Sequence, residues 1–110
     1  MGDSDDLQLY HDGSDSYIEN GTGNLNLRVG GENGVRVKPN AAVELYYNNS
    51  KTFETISGGI HITGATQSAG HIKPDANNTY DLGTTSLRWR NIYTNDLNLS
   101  NEGGANDVDG

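Results

Sequence analysis

Three histidines, His11, His61 and His71, are the side chains of this sequence best suited to bind a metal or to transfer protons near neutral pH. An internal repeat argues against that role. The stretch LQLYHDGSDSYI (7–18) returns as VELYYNNSKTFE (43–54), where Tyr47 takes the position of His11. Since a metal ligand is not expected where the repeat has tyrosine, we expect no metal site within one chain. A trimer that placed three copies of one histidine around its axis is the alternative left open.

Two acidic stretches have the composition of calcium loops but lack the residues that shape such loops. DANNTYDLG begins with Asp75 and Asn77, yet Tyr80 occupies its sixth position, where the calcium loop needs glycine. GGENGVRVK begins like the nonapeptide calcium repeat but has Val35 where that repeat has aspartate. We interpret both as solvated turns.

Catalytic motifs are missing from the sequence: it has no Ser–His–Asp set in a known context, no P-loop and no Gly-x-Ser-x-Gly turn. The 15 Asp and Glu residues could supply a glycosidase pair by number alone. A polysaccharide hydrolase would also need a carboxylate-lined groove that raises one pKa, and short polar turns do not predict one. We therefore expect a protein that is not an enzyme and needs no cofactor.

Aromatic side chains are spread along a chain that is poor in other large residues, and they allow two interpretations. Exposed Tyr and Trp beside Asn and Asp could stack on sugar rings and bind their hydroxyls, which would make a glycan-binding surface. Packing in a core or between chains is the interpretation we favour, because each aromatic buries a large area. The residues are Tyr10, Tyr17, Tyr46, Tyr47, Phe53, Tyr80, Trp89 and Tyr93.

The composition predicts a thin hydrophobic core. The length of 110 residues suits one domain, but Leu, Ile, Val and Phe together number only 21. This fraction of Leu, Ile, Val and Phe is close to the upper limit found in disordered chains. Because the apolar residues are regularly patterned, we expect a core shared between chains rather than disorder.

The net charge of the chain and the absence of some residue types exclude several classes of partner and site. A net charge of -8 argues against nucleic acid and against an anionic membrane surface, since both attract clustered Lys and Arg. No apolar run approaches the length of a signal peptide or membrane helix. Without cysteine, disulfides and thiolate metal sites are excluded.

Apolar residues alternate with polar ones in most of the chain, which predicts short strands and no long helix. Turns are expected at Asp12-Gly13, Asn33-Gly34 and Asn48-Asn49, because these residue types tolerate a positive φ. The alternating strand residues are Leu25, Leu27 and Val29, then Val35 and Val37, then Ile60 and Ile62, and finally Leu97 and Leu99.

The repeat predicts the organisation of the chain. Each copy should be a hairpin followed by one more strand, a unit that cannot cover its own apolar face and must pack on neighbours. We expect residues 1–6 to be a disordered start or an expression remnant, 7–64 to form two β repeats, and 65–78 to be an extended linker. Residues 79–100 are predicted to be a terminal β segment that ends in a third, degenerate echo of the repeat, and 101–110 a flexible tail.

YDLGTTSLRWRNIYTNDLNLS, from Tyr80 to Ser100, resembles a segment near the C-terminal end of many bacteriophage tail-fibre and tail-spike proteins. Its pattern is Leu-Gly, a short gap, Arg-Trp, two residues and Ile-Tyr. The two repeat copies are similar to the repeated units of phage fibre shafts. The pattern is carried here by Leu82, Gly83, Arg88, Trp89, Ile92 and Tyr93.

This resemblance implies a structural segment of a homotrimeric phage tail fibre that supports host attachment, built as an elongated trimeric β-helix or β-prism. Its partners would be other copies of itself and other tail proteins of the virion, after assembly in the bacterial cytoplasm. The alternative is a receptor-binding module that contacts host-surface glycans. In the family, the motif often precedes a chaperone that cleaves itself off at a Ser-Asp bond. Here the Ser-Asp pairs, Ser4-Asp5 and Ser14-Asp15, lie far upstream of the motif, so we do not expect that activity.

Twelve apolar residues are candidates for a core shared between chains, chosen from the alternating strands and the C-terminal motif. They are Leu7, Leu9, Leu25, Leu27, Val43, Leu45, Ile60, Ile62, Trp89, Ile92, Leu97 and Leu99.

Overall fold

A computed structural model describes residues 6–99, and within them the chain forms seven β-strands. The strands are β1 (Leu7–His11), β2 (Ser16–Asn20), β3 (Leu25–Val29), β4 (Glu32–Val37), β5 (Val43–Tyr47), β6 (Ser50–Ile56) and β7 (Gly59–Ile62). Residues 6–99 contain no helix, and so none that could span a membrane. The all-β prediction is confirmed for this part of the chain.

The strands form two antiparallel sheets. β1 and β2 make a separate two-stranded hairpin, whereas β3, β4, β5, β6 and β7 follow one another as a five-stranded meander. Each strand of the meander pairs with its neighbour in sequence, so every connection is a short turn or loop. Pro39, which has no N–H for a ladder, lies in the loop between β4 and β5.

Two of the three predicted turns are confirmed. β1 and β2 are joined by residues 12–15, where Gly13 has a φ of 108° and the carboxylate of Asp12 accepts hydrogen bonds from the N–H groups of Ser14 and Asp15. Asn48 and Asn49 alone connect β5 to β6, with φ values of 47° and 61°. Positive φ at both central residues matches the right-handed twist of the paired strands.

The third predicted turn, at Asn33-Gly34, is wrong. The connection between β3 and β4 is made by Gly30 and Gly31, with φ values of 58° and 84°. Asn33 and Gly34 lie inside β4, and a bulge lets Gly34 fall between the residues paired with Leu27 and Arg28. Two consecutive glycines adopt a positive φ with less strain than an Asn-Gly pair, which explains why the chain reverses three residues earlier.

The two repeat copies form equivalent strands, but these strands pair differently into sheets. Residues 7–11 of β1 correspond to 43–47 of β5, and in both copies a hairpin is followed by a further strand, β3 or β7. β7 pairs with the hairpin of its own copy, whereas β3 pairs with β4 instead of β2. β4 has no counterpart in the repeat and joins the copies, because it pairs with both β3 and β5.

The prediction of a terminal β segment over 79–100 is not met by residues 79–99, which form no strand, and the strand expected at Leu97 and Leu99 is likewise missing. A strand is stable only when its N–H and C=O groups pair with another strand, and this stretch has no partner strand within the described chain. Residues 65–78 also lack strands. The assignments for 1–5 and 100–110 lie outside the described residues.

The chain divides into two compact units, Met1–Gly70, which contains both sheets, and His71–Gly110. Across residues 6–99, neither unit buries a single apolar side chain. The one residue buried within the described range is a carboxylate, Glu44, with 2% of its surface exposed. Sheets of folded domains normally cover at least one face, so this arrangement leaves the apolar groups without a core.

Candidate functional site

One face of the five-stranded sheet is apolar. Residues that stand opposite each other on paired strands share a face, and Val35 stands opposite both Leu27 on β3 and Leu45 on β5. Thr55 lies on the same side, and so do Tyr47 with Ser50 opposite it and, at the β3–β4 turn, Glu32 opposite Val29. The nine side chains that we call the apolar face are Leu25, Leu27, Val35, Val37, Val43, Leu45, Phe53, Ile60 and Ile62.

The apolar face is open in the single chain. Leu27 and Ile60, on opposite edge strands, are 55% and 56% exposed, and Leu45 on the central strand is still 40% exposed. None of the nine side chains is buried. Apolar side chains gain free energy when they leave water, so this face is suited to contact another surface.

The opposite face of the sheet is organised around Glu44 on β5. Its Oε1 lies 3.3 Å from Lys38 Nζ and accepts a 3.1 Å hydrogen bond from the Tyr46 hydroxyl, while its Oε2 lies 3.2 Å from Lys51 Nζ. Burial by itself raises the pKa of Glu44, but the hydrogen bonds from Lys51, Lys38 and Tyr46 outweigh it and hold the pKa below its ordinary value. Glu44 is therefore ionised and fully partnered.

The network continues along β6 and β7, and we call the set Lys38, Glu44, Lys51, Glu54 and His61 the ion-pair chain. Lys51 Nζ donates to Glu54 Oε2 at 2.7 Å, and His61 Nδ1 lies 3.2 Å from Glu54 Oε1. The bond to Glu54, followed by that to Glu44, raises the pKa of Lys51. Lys51, followed by His61, lowers the pKa of Glu54. On this face the charges of Lys38, Glu44, Lys51 and Glu54 are therefore already paired with one another.

A bulge places Lys51 in the ion-pair chain. Leu45 stands opposite Phe53, but the next residue, Tyr46, stands opposite Lys51, so Thr52 is passed over. Without that shift, strict alternation from Phe53 would turn Lys51 toward the apolar face.

The β1–β2 hairpin has its own two faces. On one face the Tyr10 and Tyr17 rings stack at a centroid distance of 5.0 Å, with the Tyr10 hydroxyl donating to Glu19 and the Tyr17 hydroxyl donating to Asp12. On the other face lie Leu9 and Ile18, which are 80% and 60% exposed. Like the five-stranded sheet, the hairpin offers an uncovered apolar side.

A cleft of about 280 Å³ lies between the hairpin and the five-stranded sheet. Its walls are largely apolar, and Glu19 is the single carboxylate that lines it. The carboxylate pair that glycoside hydrolysis requires is not assembled in this cleft.

In residues 71–99, the Leu-Gly…Arg-Trp motif forms a local turn. The N–H of Thr84 donates to the carbonyl of Leu87 at 2.8 Å, and the N–H of Leu87 donates back to the Thr84 hydroxyl at 2.9 Å. Gly83 has a φ of 88°, and a Cβ at this position would lie 3.0 Å from the Leu87 carbonyl oxygen. Trp89 Cδ1 would lie 3.8 Å from the same Cβ, so the glycine lets the turn close beside the indole.

The large apolar side chains of this second unit are also exposed. Trp89 is 65% exposed and Tyr93 is 91% exposed, values unusual for residues of this size. The full set of exposed apolar residues in 71–99 is Ile72, Tyr80, Leu82, Leu87, Trp89, Ile92, Tyr93, Leu97 and Leu99.

The structure brings half of the twelve core candidates together. Leu25, Leu27, Val43, Leu45, Ile60 and Ile62 all belong to the apolar face. Leu7 and Leu9 lie on the hairpin, and Trp89, Ile92, Leu97 and Leu99 lie in the second unit. Val35, Val37 and Phe53 were not among the candidates, although Val35 and Val37 alternate in the sequence and Phe53 is one of its aromatic residues.

His11 and His61 contact different groups. His11 Nδ1 is 3.2 Å from the Ser16 hydroxyl, and His61 belongs to the ion-pair chain. Among residues 6–99, no three His, Asp or Glu side chains are grouped so that they could hold a metal ion.

Comparison of the chain with protein-family models, with curated proteins and with solved structures finds no match.

Proposed function

We propose that this chain is a structural segment of a homotrimeric phage tail fibre that supports host attachment. The observation that carries the proposal is the absence of any buried apolar side chain in residues 6–99, in a chain with regular sheets. A chain with this burial does not supply its own core, and a trimer would supply one from three thin apolar surfaces. The resemblance of residues 80–100 to tail-fibre segments provides the phage context.

In the proposed assembly, three copies pack around a common axis as an elongated β-prism or β-helix. Other tail proteins of the virion would join its ends, after assembly in the cytoplasm of the bacterial host. The role is mechanical, requires no cofactor and includes no catalytic step.

A second candidate function is glycan binding at the host surface, favoured by aromatic rings that lie open to water. Tyr47 is 78% exposed, and Trp89 and Tyr93 are 65% and 91% exposed. Such rings can stack on sugars, and Asn91, beside Trp89, has the amide that sugar hydroxyls bind.

The variant Trp89→Ala separates the two functions. If Trp89 packs between chains, its truncation should destabilise the trimer by roughly 3–5 kcal/mol per chain, measured as a lower melting temperature and a loss of mass in solution. If Trp89 binds sugar, the variant should keep the mass and melting temperature of the wild type and lose binding to bacterial surface polysaccharides. That second outcome would contradict the structural role.

A further inference from the structure

We infer that the apolar face of the β3–β7 sheet is the surface through which copies of this chain contact one another, with the ion-pair chain turned outward. The inference rests on the proposed homo-oligomer and adds which of the two sheet faces is buried in it. The occupant of the apolar face is a second copy of this chain.

The size of the face suits part of a contact between copies. Five strands spaced about 4.8 Å apart, each with about five residues of 3.4 Å, span roughly 400 Å² in projection. Leu9 and Ile18 on the hairpin extend the apolar surface of the same unit. A patch of this size is within the range of the largest apolar patch on a monomer and is about half the area that one partner buries in a standard interface, so the face would form part of the contact.

For a contact between copies, charge favours this face over the rest of the surface. The net charge of -8 makes two copies repel each other over most orientations. The nine side chains of the apolar face carry no charge, and the carboxylate on the same side, Glu32, lies at its margin opposite Val29, so two copies can approach there with less repulsion than over the charged parts of the surface.

The opposite face is a poor interface because burying it would remove charged groups from water. Lys38 and Lys51 still expose 36% and 37% of their side chains, and Glu44 and Glu54 are already paired with them. Covering this face would cost the hydration of the lysines without providing new partners.

A pair of single-cysteine variants tests the inference directly, because the chain has no cysteine of its own. Leu27 and Asn26 are neighbours on β3 and point to opposite faces. Both are exposed in the single chain, so Leu27→Cys and Asn26→Cys start from comparable access to a maleimide reagent. The control loses only an exposed hydrogen bond from Arg36.

In the assembled protein, the cysteine of Leu27→Cys should react more than about tenfold more slowly than that of Asn26→Cys, because labelling then requires the contact to open. Denaturant should make the two rates equal. Equal rates in an oligomeric protein, fast or slow, would overturn the choice of face and leave the proposed oligomer standing. A wild-type chain that is monomeric in solution would overturn the proposed function itself.

Charged substitutions at the same two positions provide an independent readout. Leu27→Lys should reduce the mass in solution to that of one chain, whereas Asn26→Lys should leave it unchanged. An oligomer that survives Leu27→Lys would contradict the inference.

Discussion

Glu44 and Glu54 link the stability of the protein to pH. The pKa of each carboxyl is held below its ordinary value of 4.5 in the folded chain. Their contribution to stability is therefore complete above about pH 4.5 and is lost as the pH falls through the lowered folded pKa values. We expect the melting temperature to fall in acid from that point.

The variant Glu44→Gln should be less stable than the wild type at neutral pH, because Lys38 and Lys51 lose their shared partner. It should also lose less of its stability in acid, which melting curves across the pH range would measure. Asp75→Asn is a matched control, since it removes an exposed carboxylate outside the ion-pair chain. A Glu44→Gln profile parallel to that of the wild type would show that Glu44 does not contribute to the acid response.

The backbone of the β3–β4 turn requires glycine at Gly31, where φ is 84°. Gly31→Val should lower the free energy of unfolding by about 1–2 kcal/mol, the cost of a positive φ for an L-residue. Denaturant unfolding would measure it. Gly34→Ala is the control, because Gly34 lies in a strand and its new Cβ would meet Leu27 O at 3.4 Å, an ordinary contact. Equal losses in both variants would contradict the position of the turn.

At the scale of single residues, the sequence predicts turns better than contacts. The turns at Asn48-Asn49 and Asp12-Gly13 could be predicted because these residue types tolerate the required φ. The turn predicted at Asn33-Gly34 was wrong because the neighbouring Gly30-Gly31 pair adopts the required positive φ with less strain. The ion-pair chain could not be predicted, since Lys51 reaches Glu44 only through the bulge beside Leu45.

At the scale of elements, the five-stranded sheet has two open edges, β3 and β7. If copies pack through the apolar face, these edges stay unpaired, and their outward amides should exchange hydrogen faster than those of β4, β5 and β6. Residue-resolved hydrogen exchange would measure this gradient. Edge amides as protected as those of β5 would show instead that the sheet is extended by a strand of another chain.

The elements also show where sequence periodicity is sufficient and where it is not. Leu25 and Leu27, or Ile60 and Ile62, alternate beside a turn that brings a partner strand, and each pair lies in a strand. Leu97 and Leu99 alternate equally well but form no strand in the single chain, because no partner stands beside them. Alternation predicts the two faces of a strand, whereas the presence of a partner decides whether the strand forms.

In both units most large apolar side chains are exposed, for example Leu27 at 55% and Tyr93 at 91%. A core formed between chains links folding to assembly. The melting temperature should therefore rise with protein concentration, as calorimetry over a range of concentrations would measure. A melting temperature that does not depend on concentration, together with a monomeric mass, would contradict a shared core.

The mass of the folded protein in solution tests whether three copies share one core. Sedimentation equilibrium or light scattering should give three times the chain mass of 11.8 kDa under conditions in which circular dichroism shows β structure. A folded β-rich protein with the mass of a single chain would contradict it.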